Sequence, residues 1–230
     1  MSPTSINFKR IKKNEPTSLD SIFKKISNTK YNEKDGFGFV VKSEDPNHIQ
    51  GYLIIDCPSF TTSFDPENVS IVKTKIIKKI AIEFLIDLEY NLLEVYSDKS
   101  STNRVISELG KLSKFSFVVE DIQFKAIDVI NKIKRSNYPY TIKNLRIRDF
   151  SINEYTRGSF FVNILAKPEG ERLIKEYNHL ITYVGLNYSV ENEDISIGLY
   201  DSGSLRLFSN LDISEEIILK FKEIFFKSEV

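Results

Sequence analysis

Few residues of this 230-residue chain are of a type that does chemistry alone, and their spacing limits what they can do. There is one cysteine, Cys57, and there are two histidines, His48 and His179. No disulfide can close within the chain, and no thiolate–imidazole set exists for a structural zinc. Cys57 has no base beside it in sequence and reads as a small apolar residue at a strand end. Gly36, Gly38 and Gly203 sit in turns and belong to no phosphate-cradling pattern. The acids that matter most are Asp87 and Glu94, which flank an expected hairpin, with Glu89 and Asp98 close by. Metal-dependent cleavage of a phosphodiester needs two or three acids converging on an ion, with a lysine nearby. No acid–x–Lys spacing follows this pair, and charged residues favour surface turns without any catalytic purpose. The chain is therefore read as non-enzymatic, with no cofactor, and a metal-dependent nuclease built on Asp87 and Glu94 is the weakest alternative.

Clustered cations offer a different chemistry, the binding of phosphate. From Val69 to Asp87 the even positions Val72, Thr74, Ile76, Lys78, Ile80, Ile82, Phe84 and Ile86 are nearly all apolar. With a side-chain period of two, a strand here turns that row inward and projects Lys73, Lys75 and Lys79 together to solvent. Residues 141–150 alternate in the same way, with Leu145 and Ile147 opposite Arg146 and Arg148. If both strands belong to one sheet, the five cations form a basic strip near Tyr138, Tyr140 and Tyr155. Such a strip suits backbone phosphates, with aromatic rings for base stacking. The competing reading is that lysines on a strand protect an exposed edge. A second basic cluster, Lys9, Arg10, Lys12 and Lys13, lies in a segment read as a loose tail.

The elements that position these residues follow from pattern. Lys+Arg and Asp+Glu both count 32, so total charge favours neither nucleic acid nor an acidic surface. Hydrophobic residues make up 41%, which is an ordinary globular composition. No run of about 18 apolar residues is present, and the first ten residues lack the apolar core of a signal peptide, so a cytoplasmic protein is expected. The strongest long-range signal is a strand–turn–strand–helix unit that occurs twice. Residues 82–97 lead to the helical stripe Val105, Ile106, Leu109 and Leu112. Residues 195–209 lead to Ile217, Ile218, Phe221, Ile224 and Phe225. Leu93, Val95, Tyr96 and Ser97 align with Leu205, Leu207, Phe208 and Ser209. The expected organisation is a flexible basic tail over 1–16, an N-terminal half over 17–137 and a C-terminal half over 138–230.

From Phe160 the order is strand, helix, three strands, helix, with the Asp201-Ser202-Gly203 turn leading into Leu205–Ser209. This order resembles one half of the TATA-binding-protein fold. The resemblance implies an α+β protein of two similar halves, each an antiparallel sheet backed by helices; ferredoxin-like repeats give a similar pattern. It carries over a layout of elements and no individual residue. The function expected is a binding subunit or scaffold of a multi-protein assembly, touching a protein partner through its sheet faces and no membrane. The alternative is a DNA- or RNA-binding module that uses Lys73, Lys75, Lys79, Arg146 and Arg148.

Overall fold

The computed structural model describes residues 4–12, 19–190, 193–208 and 215–227. In chain order the first elements are β1 (Thr4–Lys12), α1 (Leu19–Asn28), β2 (Phe37–Glu44), β3 (His48–Asp65), β4 (Ser70–Asp87), β5 (Leu92–Val95), α2 (Lys99–Leu112) and β6 (Val118–Asp121). Next come α3 (Ala126–Arg135), β7 (Tyr140–Asn153), β8 (Thr156–Asn163), α4 (Lys167–Tyr177), β9 (Ile181–Val190), β10 (Glu193–Tyr200), β11 (Ser204–Leu207) and α5 (Glu215–Phe226). All eleven strands among the described residues belong to one antiparallel sheet, ordered β2-β3-β4-β5-β1-β11-β10-β9-β7-β8, with β6 on β1. The expectation of two halves with separate helix-backed sheets is therefore corrected: a single sheet runs through the protein.

The cause is β1. The segment read as a loose tail is instead the central strand, pairing with β5 through residues 7–10 and with β11 through residues 4–7. Ile6 and Phe8 do alternate with Asn7 and Lys9, but the polar residues disguised the strand, because a strand covered on both faces can bury polar side chains wherever each finds a partner. Ile6 and Phe8 are fully buried on one face, while Asn7, Lys9 and Ile11 are buried on the other. The polar members are satisfied. Asn7 Nδ2 donates to the Ser97 carbonyl at 2.6 Å and Asn7 Oδ1 accepts from Ser204 Oγ at 2.5 Å. Lys9 Nζ reaches Asp121 at 2.6 Å, holding β6 to β1 and keeping that carboxyl below its ordinary range. Lys13 lies outside the described residues.

Register through β1 also decides which face each helix covers. Val95 and Leu93 pair with Asn7 and Lys9, whereas Leu205 and Leu207 pair with Ile6 and Thr4. Equivalent residues of the two strand–turn–strand–helix units thus point to opposite faces. Accordingly α1 and α2 pack on Phe39, Ile49, Leu53, Phe84 and Val95. Helices α3, α4 and α5 pack on the other face, against Phe8, Leu145, Val184, Ile197 and Leu205. We call these the α2 face and the α5 face. The wide apolar stripe of α5 is explained by this seat: Phe221 stacks on Phe8 and Phe226 packs tilted against it, with ring centroids 5.5 and 5.1 Å apart. Helix α2 starts at Asp98, whose side chain accepts from the Ser101 amide at 2.8 Å.

Because Phe8 is enclosed by strands and two α5 rings, Phe8→Ala is expected to cost about 3–5 kcal/mol. Urea unfolding measures this, and a loss below about 1 kcal/mol would mean β1 is a peripheral strand.

Candidate functional site

Strands β3 and β4 stay paired in unbroken register from His48↔Asp87 out to Asp65↔Ser70. Their neighbours stop early. Strand β2 last pairs with β3 at Ile55, and β5 first pairs with β4 at Phe84. Beyond those points the hairpin runs on as a two-stranded arm, about 30 Å long for ten residue pairs at ~3.3 Å each. Every β4 residue from Ser70 to Ala81 is exposed. At the tip the Asp65 carboxylate accepts from the Glu67 and Asn68 amides and from Asn68 Nδ2, which keeps its pKa low. Val69 turns the chain there with a φ of 49°, a strained value for a β-branched residue.

Cross-strand register sorts the arm's side chains. One face carries Lys73, Lys75 and Lys79 interleaved with Phe60, Phe64, Ile71 and Ile77. Phe60, Phe64 and Ile71 are 66%, 63% and 72% exposed, values far from those of a core. The reverse face carries Val72, Thr74, Ile76 and Lys78. At the root, Lys79 Nζ donates to Glu33 at 2.7 Å and lies 5.0 Å over the Tyr31 ring, and Tyr31 Oη donates to Asp56 at 3.0 Å. The Glu33 bond raises the lysine pKa further. Gly38 makes this root possible, because a Cβ there would stand 2.4 Å from the Tyr31 backbone.

The structure divides the five cations of the expected strip. Lys73, Lys75 and Lys79 share parity with Asp87, which lies under α5, so their face of β4 is the α5 face. Arg146 pairs with Tyr183 while Leu145 pairs with Val184 beneath the helices, which puts Arg146 on the α2 face. Arg148 is there too, 3.4 Å from Asp201. Five strands stand between β4 and β7. The tyrosines are dispersed as well. Tyr138 packs on the core, Tyr140 donates to Glu171 at 2.6 Å, and Tyr155 is exposed at the β7–β8 turn. Next to Arg146 the sheet presents residues the sequence reading did not single out: Tyr183 with Tyr200 at 4.8 Å, and Arg206 5.7 Å over Tyr200. Their alternation along β9 to β11 was the available signal. Phe161 is exposed beside Tyr183. In the basic N-terminal cluster, Arg10 lines an open cleft of about 820 Å³ with Lys132, Arg135 and Lys227.

Asp87 and Glu94 do come together, as their hairpin spacing allowed. Both are fully buried, and Lys222 of α5 reaches them at 2.5 and 2.9 Å. Tyr96 Oη donates to Glu94 at 2.8 Å, and His48 Nε2 stands 3.4 Å from Asp87. The ammonium occupies the position between the two acids that a cation would need. Among the described residues no group of three or more His, Cys, Asp or Glu side chains is arranged to hold a metal. Burial lifts the Glu94 carboxyl above its ordinary range, with Lys222 opposing. For Lys222 burial pulls down, but the two acids outweigh it and the net shift is upward. The cluster's evident role is to lock α5 to the β4–β5 hairpin.

No protein-family model matches the chain, and no curated protein matches it in sequence.

Lys222→Met leaves two buried acids without their cation and is expected to cost about 3–5 kcal/mol, most of it recovered when Asp87→Asn and Glu94→Gln are added. Equilibrium unfolding of the single and triple variants measures both. The pH dependence has a fixed sign. A carboxyl whose folded pKa is raised binds more protons when folded, so its contribution falls as pH climbs from the ordinary glutamate value to the raised one. The wild-type midpoint should therefore drift down relative to Glu94→Gln over that window; parallel curves would mean Glu94 titrates normally.

Proposed function

We propose that this protein is a non-enzymatic binding subunit whose contact element is the β3–β4 arm. A single observation carries the reading: a hairpin that extends beyond both neighbouring strands with large apolar side chains open to water. An isolated two-stranded ribbon gains little stability from its own contacts. Exposed Phe60, Phe64, Ile71 and Ile77 are costly for solubility and offer the folded monomer no burial in return. Contiguous apolar exposure of this kind marks interaction sites. The acids that a nuclease would require support a different role, since Lys222 neutralises them and α5 closes over them.

Two measurements test this. Replacing Pro58–Ile77 by a short Asn-Gly turn should leave the protein folded, with a melting temperature within about 3 °C of wild type. A photocrosslinking residue at Phe60, in the native source, should trap a macromolecule that the same residue at exposed Lys24 on α1 does not. Unfolding of the shortened protein, or equal trapping at both positions, would overturn the reading.

A further inference from the structure

We propose that the β3–β4 arm binds duplex DNA, lying in the major groove with its lysines on the flanking phosphates. This rests on the reading of the arm as the contact element and names what it contacts. The chain as a whole carries no formal net charge, yet residues 57–64 and 71–82 hold four lysines and no acid. Acids occur only at the two ends of the arm. Asp56 accepts from Tyr31, and Asp65 is turned into the tip. The shaft is thus a cationic ribbon, with the balancing formal charge of −4 spread over the rest of the chain, and polyanions are attracted to the field of the ribbon.

Shape and side-chain type agree with that. The B-form major groove admits a two-stranded β-ribbon, whereas the A-form groove is too deep and narrow to be read by side chains. The shaft, about 30 Å long, spans roughly one turn of duplex. Hydroxyls of Ser59, Thr61, Thr62, Ser63 and Thr74 are interleaved with the lysines, and such groups donate to phosphate oxygens. Phe60 and Phe64 stand on the same face as Lys73, Lys75 and Lys79, and exposed rings of this kind make apolar contact with thymine methyl groups. Pairing of two copies through their β4 edges is disfavoured, because it would bring lysine rows against each other, and on the β3 edge Pro58 lacks the N–H that a ladder needs.

The test is fluorescence anisotropy of the full chain with a labelled mixed-sequence DNA duplex about two helical turns long. Matched RNA duplex and single-stranded DNA are measured alongside. Three to four phosphate contacts should weaken binding about 100-fold between about 50 and 200 mM salt. Lys73→Gln/Lys75→Gln/Lys78→Gln should remove most of the affinity and flatten the salt slope. Lys79 is kept because it also holds the arm's root. Phe60→Ser/Phe64→Ser should weaken binding while leaving that slope unchanged. All these positions are exposed, so circular dichroism of each variant should match wild type. Binding that ignores salt, a triple variant equal to wild type, or tighter binding to RNA duplex or single strand would each overturn the proposal. So would a dimer that is lost when the arm is shortened, which would assign the arm to a second copy. If DNA is not bound but Phe60 still crosslinks a protein, the DNA assignment falls and the binding-arm reading stands; if Phe60 traps nothing, both fall.

Discussion

The structure depends on one constraint, that β1 must be buried on both faces at once. Ile6 and Phe8 seal the α5 face while Asn7, Lys9 and Ile11 are enclosed on the α2 face. A central strand in this position joins the β5 edge of one strand group to the β11 edge of another. Because successive side chains alternate, it also fixes the helices of the two groups on opposite sides of one sheet. Lys222 of α5 then crosses the seam to Asp87 and Glu94, so the last helix holds the first group's hairpin. The two polar locks, Asn7 and Lys222, sit on opposite faces of the same few strands.

That seam leaves the outer length of the β3–β4 hairpin without support. Among the described residues no strand flanks it past Ile55 or before Phe84, and no helix covers it. What holds its shape is the ladder between its own strands, the capped turn at Asp65 and the Tyr31–Asp56–Lys79–Glu33 contacts at its root. These fix its direction without burying its apolar rows. Stability and contact surface are thus separated along a single pair of strands: residues 82–87 belong to the core, and residues 57–79 face solvent.

Much of the local architecture was legible in the residue pattern. The alternation that identified β4 also put Lys73, Lys75 and Lys79 on one row, although the row expected to turn inward is exposed at Val72, Ile76 and Ile80, and the repeat units at 82–112 and 195–225 each form strand, turn, strand and helix. The association of Asp87 with Glu94 could be read from their places on a hairpin, but their cation could not, because Lys222 lies 128 residues beyond Glu94. The long-range arrangement was hidden for a physical reason. A strand enclosed on both faces can carry Asn and Lys if each finds a hydrogen-bonding partner, so β1 resembled a polar tail. Without β1 the groups looked like two separate sheets, and Lys73 and Arg146 could be imagined on one strip. The sheet instead sets them on opposite faces, with five strands between. The length of the arm was visible as two long strand patterns, but its lack of neighbours was not, since pairing partners depend on where β2 and β5 stop.

Amide hydrogen exchange of the free protein tests the central claim most directly. The β1 amides should be the slowest, opening only with global unfolding, while amides of residues 59–64 and 71–78 exchange through local opening at much lower free energy. Protection of the arm equal to that of β1 would contradict it, because the hairpin would then belong to the core and leave no surface for a partner.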